Sequence, residues 1–283
     1  MKANRLRFTA FCLCAAAVLA WPSTSFAQAS PASVERGYRL MYSLDFDAAD
    51  REFSEWQRVH PGDALAPVSR AANVLFREFD RLGVLQARLF QDNAVFTSTS
   101  KRAPDPMLAK RFEALLTEAE TAAQARLVQA PQDRDALFSM TLVNGLRADY
   151  AALIEQRNMA ALSYTRQATT WATKLLAIAP DYYDAYMATG MSAYLVGSLP
   201  LPVRWVLRIG GYQGDKSRGV RELKLVAERG RLLAPFARIL LAVASLRDQD
   251  VPRARVLLAG LAREFPSNPL FERELRRLDG PGD

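Results

Sequence analysis

The sequence predicts an all-α fold, a helical-repeat α-solenoid in which helix pairs stack one after another. Three observations carry that expectation. Apolar residues recur at spacings of three and four nearly everywhere, while the alternation of a strand is almost absent. Prolines punctuate the periodic segments at Pro61, Pro104, Pro106, Pro131, Pro180, Pro200, Pro202 and Pro266. Each lacks a backbone donor and clashes with the preceding turn, which marks a helix boundary. A single spacing of small and large apolar residues also returns along the chain, the mark of an internal repeat.

The amino terminus reads as a signal peptide over residues 1–29. Lys2, Arg5 and Arg7 precede an apolar run from Phe8 to Trp21, and small residues then place cleavage after Ala27 or Ala29. The run is too short to span a bilayer. Cys12 and Cys14 lie inside it and precede Ala15, Ala16 and Ala17, which argues against a lipid-attached cysteine. The remaining chain, 30–283, is then cysteine-free, so its stability must come from packing and not from disulfides. With half of the 283 residues hydrophobic, there is material for a large core. The net charge of +7 falls to +4 without the signal, 34 basic against 30 acidic residues, too little to argue for nucleic acid.

Periodicity and breakers place helices near 31–43, 46–59, 64–90, 107–129, 133–156, 159–178, 182–196, 216–229, 233–247, 251–264 and 268–278. In the fourth, Leu108, Phe112, Leu115, Ala119 and Ala122 share a face while Lys110, Glu113, Glu118 and Glu120 point elsewhere. Leu162, Ala168, Trp171, Leu175 and Ile178 form the equivalent face of the sixth.

The repeat runs Gly37, Ala49, Phe53, Trp56, Pro61, and returns as Ala242, Ala254, Leu258, Leu261, Pro266. Ala168, Ala172, Leu175, Pro180 repeat its second half, and Ala119, Ala123, Arg126, Pro131 form a weaker copy. Ten residues beyond three of these prolines stand the small residues Ala71, Thr141 and Gly190, whereas Arg276 follows Pro266. This pattern resembles the tetratricopeptide repeat. The resemblance implies close helix pairs, with small residues letting the backbones approach and proline ending the second helix, about five pairs in all. It also implies a polar cap helix at Arg276 that ends the stack. The copies are irregular, since Pro61, Pro131, Pro180 and Pro266 lie 70, 49 and 86 residues apart where regular copies advance by about 34. Residues 211–230, with Gly211, Gly214, Asp215, Lys216, Gly219 and Leu223, also resemble a stretch of eukaryotic repeat proteins associated with the mitochondrial outer membrane. There Asp215 can cap the helix that follows.

Catalytic chemistry is scarce. The one histidine, His60, sits beside Pro61 and Gly62 in a turn with no nucleophile motif in view. A zinc site needs three or four ligands, and no P-loop or G-x-G-x-x-G spacing occurs. The carboxylate pairs Glu118 with Glu120 and Asp45 with Asp47 are explained by surface solvation. No enzyme activity, metal or cofactor is expected.

What remains is surface. The first helix of each pair lines the concave side of such a stack, so Val34, Tyr38 and Met41, then Phe138 and Leu142, then Asp184, Met187, Met191 and Tyr194 form a candidate groove. Methionine and tyrosine offer an adaptable apolar surface with polar handles, suited to a helix or an extended peptide. Packing inside the fold is the competing reading of the same stripes. An apolar insertion near 197–214, with Trp205 and Leu207 between Arg204 and Arg208, interrupts the repeat. Burial over neighbouring helix ends is the expected placement, and contact with a partner or membrane interface is the alternative.

The functional expectation is an exported, non-catalytic scaffold for a protein or peptide partner, in the periplasm or at the periplasmic face of the outer membrane. The runner-up is a small-ligand or lipid-binding protein with its cavity inside the superhelix.

Overall fold

The computed structural model describes residues 33–84, 103–201, 204–205 and 214–280. The chain divides into residues 1–31 and 32–283; the first unit, and with it the signal-peptide reading, lies outside the described residues, as does Leu207. The second unit holds eleven α-helices among the described residues: α1 (Val34–Tyr42), α2 (Phe46–Val59), α3 (Leu65–Leu82), α4 (Pro106–Gln129), α5 (Arg134–Leu153), α6 (Asn158–Ile178), α7 (Tyr186–Gly197), α8 (Lys216–Arg229), α9 (Ala234–Arg247), α10 (Val251–Glu264) and α11 (Pro269–Asp279). A short 3₁₀ turn, Tyr183–Ala185, leads into α7. Each helix packs on its neighbours in sequence, and α1 also packs on α3 and α3 on α5. This is an all-α helical-repeat arrangement, as the periodicity predicts. The helix predicted over 64–90 ends, among the described residues, at Leu82, where Gly83 takes φ +72° and closes it with a left-handed cap.

The repeat is visible in the backbone. Before Pro61, Pro131, Pro180 and Pro266 the residues His60, Ala130, Ala179 and Phe265 leave the helix with φ between −121° and −143° and ψ between 66° and 86°. A residue ahead of proline is driven out of the α region by the proline ring. In each case the next turn closes the same way, with N–H groups of Asp63, Asp133, Tyr182 and Asn268 donating to the carbonyls of His60, Ala130, Ala179 and Phe265. The turns inside the first and last pairs also match. Leu44 and Gln249 take left-handed φ of 63° and 60°. Asp45 and Asp250 then donate back to Leu40 and Ser245 and cap α2 and α10 through their carboxylates.

The repeat residues are the core residues. Ala49, Phe53, Ala119, Ala123, Ala172, Leu175, Ala242, Ala254, Leu258 and Leu261 have no exposed surface. Gly37 lets the α1 backbone lie against the ring of Phe53, where a Cβ would overlap the ring atoms. Gly190 and Gly219 do the same between α7 and α8. Arg126, in the weak copy, is exposed and pairs with Asp133 instead of packing. Arg276 is exposed on α11.

One feature was invisible in the repeat pattern: the first and last pairs meet. The Tyr42 hydroxyl donates to the Leu232 carbonyl at 3.2 Å, and Asn268 Nδ2 donates to the Tyr42 carbonyl at 2.8 Å. Tyr42 packs on Phe265, with ring centroids 5.8 Å apart. Arg39 and Arg238 converge on Glu264, and Arg231 pairs with Glu35. The inner helix faces therefore bound a common lumen between them.

Candidate functional site

The lumen forms because the inner helices α1, α3, α5, α7 and α9 carry large apolar side chains that meet without filling the space between them. Two adjoining cavities result, of about 180 and 120 Å³. Met41, Phe76, Asp149, Met191 and Phe236 line both. Phe76 of α3 and Phe236 of α9 meet edge-on across the lumen at 5.5 Å between centroids, which helps to close it.

All eight candidate groove residues lie on these walls. Tyr38, Met41, Phe138, Leu142, Asp184, Met187 and Met191 line the smaller cavity, and Met41, Met191 and Tyr194 the larger. They face the space between the inner helices. Tyr38, Met41, Phe138 and Tyr194 are buried, while Leu142 and Met191 keep part of their surface. Val34, from the same stripe, packs in the core. The stripes of α3 and α9, Phe76 with Phe79 and Phe236 with Leu240 and Val243, complete the walls and were missed. Their three- and four-residue spacing on first helices of pairs was the available signal.

Among the described residues the walls carry four charged side chains, and three of them have partners. Asp184 holds the chain leading into α9: its carboxylate accepts the N–H groups of Arg231 at 2.9 Å, Leu232 at 3.2 Å and Leu233 at 2.8 Å. Burial still lifts Asp184 above the ordinary carboxylate range, against the lowering effect of those three donors. Glu274 is ion-paired to Arg277 at 2.9 Å, and Arg247 has a partner of its own. Asp149 of α5 has no hydrogen-bond or ion-pair partner among the described residues. Desolvation alone pushes its carboxyl up to about 7. Burial likewise pushes the Tyr38 hydroxyl up to about 12.

Elsewhere, His60 is exposed, stacks on Trp56 at 3.7 Å between centroids and contacts the Trp56 carbonyl through Nδ1. Asp45 caps α2 and Asp47 pairs with Arg77. Glu118 bonds Gln57, and Glu120 pairs with Arg147. Among the described residues no three His, Cys, Asp or Glu side chains gather as metal ligands, and no helix is long and apolar enough to cross a membrane. Only part of the insertion lies among the described residues, and its large apolar side chains there are exposed. Leu201 is 76% exposed and Trp205 71%, with Leu199 also exposed. Its ends are drawn together: the Asp215 N–H donates to the Ala193 carbonyl at 3.1 Å, and Gly214 lies against Gly197 so closely that a Cβ would strike its backbone.

Compared with protein-family models, curated proteins and solved structures, the chain matches none. Fold and site together define an all-helical repeat protein with an apolar lumen. Among the described residues, the unpaired carboxyl of that lumen is Asp149, which lines both cavities.

Proposed function

We propose that the chain is an exported, non-catalytic binding protein that holds a small apolar or amphiphilic molecule in the lumen of its helix stack. The observation that carries this reading is the pair of adjoining apolar cavities on which all eight candidate residues converge. A cavity of about 150 Å³ lined by apolar side chains is enough to take up benzene, so the two spaces together suit a short alkyl chain or a ring with a tail. Binding proteins use such sites by excluding water from apolar surface and orienting the ligand with a few polar groups. The tetratricopeptide-like spacing supports a binding role over catalysis, and the amino-terminal pattern supports export to the periplasm or the periplasmic face of the outer membrane.

Native mass spectrometry of the protein purified without detergent from an exporting host tests the reading. The expected result is a small-molecule adduct that is lost on denaturation, on a chain beginning at Gln28 or Ser30. A bare chain that also fails to take up an apolar fluorescent probe would overturn it.

A second reading has its own observation. Leu201 and Trp205 stand exposed in the insertion between α7 and α8, and exposed apolar side chains on an exported protein suit a protein or peptide partner or a membrane interface. The scaffold role predicts that a Leu201→Ser, Trp205→Ser variant melts like the parent but loses its envelope partner in pulldowns. Equal capture by both proteins would contradict it.

A further inference from the structure

Among the described residues, Asp149 is the charged group on the lumen that the fold does not use. It lies on α5 where both cavities meet, between Met41 of α1, Phe76 of α3, Met191 of α7 and Phe236 of α9. A carboxyl in that position caps no helix and anchors no loop. Half-buried and without a donor in a largely apolar wall, it costs stability whenever it ionises, and an unpaired charge is retained at such cost chiefly where something else pairs with it.

Resting on the lumen-binding reading, we propose that the ligand is an amphiphile with a protonated amine, whose ammonium pairs with the Asp149 carboxylate while its alkyl part fills the two cavities. The other charges near the lumen leave this role open. Asp184 is saturated by three backbone donors, Glu274 is paired to Arg277, and Arg247 has its own partner. On the same helix, Arg147 turns away to Glu113 and Glu120 of α4. From α1, α3 and α7 only aromatic, aliphatic and methionine side chains face the shared lining. An anionic amphiphile would bring a second negative charge against Asp149, and a neutral one would leave its charge uncompensated. An ammonium supplies both the opposite charge and the donors, and a charge-assisted hydrogen bond in a low-dielectric wall is among the stronger polar contacts.

The proposal carries a pH signature. Desolvation raises the empty site's carboxyl to about 7, so ammonium binding must release a proton below that pH. Affinity for an amine then weakens as pH falls below 7, by up to about tenfold per unit, while affinity for an alcohol stays nearly flat.

Calorimetric titration of the full chain with octylamine, octanol and octanoate tests this. At pH 8 octylamine should bind at least about tenfold more tightly than octanol, with octanoate weakest. In Asp149→Asn the amine preference should vanish while octanol binding persists. If wild-type protein binds octanol as tightly as octylamine, or if Asp149→Asn keeps the preference, the amine assignment is overturned and the lumen reading stands. If none of the three ligands binds, the lumen reading itself fails. Should Asp149→Asn not fold, the wild-type pH profile decides alone: a flat amine profile between pH 5.5 and 8 overturns the assignment, and one that falls below 7 supports it.

Discussion

A single side chain on Gly37 is enough to force α1 away from α2, because its Cβ would occupy the volume of the Phe53 ring, which is itself fully buried. Gly37→Leu should therefore cost about 1–3 kcal/mol through overpacking, whereas Arg276→Leu on the exposed face of α11 should stay within about 0.5 kcal/mol. Urea melts of the two variants measure the contrast, and equal shifts would place Gly37 outside a close contact. Asp149 makes the opposite kind of prediction. Its folded carboxyl sits near 7 while the unfolded one titrates near the ordinary value of 3.8, so the native state binds the extra proton between those limits. Stability from this group is thus present at low pH and is lost as pH rises from about 4 to 7. Asp149→Asn should remove that slope and be the more stable protein at pH 8, by a few kcal/mol at most. Melting midpoints recorded from pH 4 to 8 test it, and parallel curves would show that Asp149 is not desolvated. Gly37 and Phe53 were legible because the repeat spacing names small and large positions. Asp149 was not: in sequence it is one acid among many, and its apolar surroundings come from four other helices.

At the scale of elements, the 3₁₀ turn before α7 acts through Asp184, which binds three consecutive backbone N–H groups at the start of the next pair. Two of those donors, on Leu232 and Leu233, belong to buried residues. Asp184→Ala should cost about 2–4 kcal/mol, more than Asp184→Asn, which keeps one acceptor oxygen. Chemical denaturation of both variants measures this, and a neutral Asp184→Ala would show that the loop is held by packing alone. The Asp184 stripe was legible as inward-facing from its spacing with Met187, Met191 and Tyr194. Its loop-holding role was hidden, since the partners lie 47 to 49 residues away. Element boundaries were read closely wherever a proline or an Asx cap marks them, as at Asp105 with Pro106 and Asn268 with Pro269. The insertion was read as buried from its apolar composition. Composition does not say that Leu201 and Trp205 stand exposed there.

For the whole molecule, the decisive event is closure. A repeat pattern specifies neighbours, and a stack built only from neighbour contacts can be open. Here Tyr42 meets Leu232, Phe265 and Asn268, contacts separated by 190 to 226 residues in the chain. No local spacing encodes them, so the lumen the inner stripes line could not be read from the repeat. Met41, Met187 and Met191 report on that lumen directly, since they line it, whereas Met107 and Met159 are exposed and Met140 packs in a separate small cluster with Ala64, Ala123 and Ala136. The most direct test is NMR of the full chain with ¹³C-methyl-labelled methionine, titrated with octanol. The account predicts that the Met41, Met187 and Met191 methyl signals shift together and saturate while Met107, Met140 and Met159 stay in place. Shifts confined to Met107 or Met159, or no saturable shift at any methionine, would contradict a ligand-holding lumen.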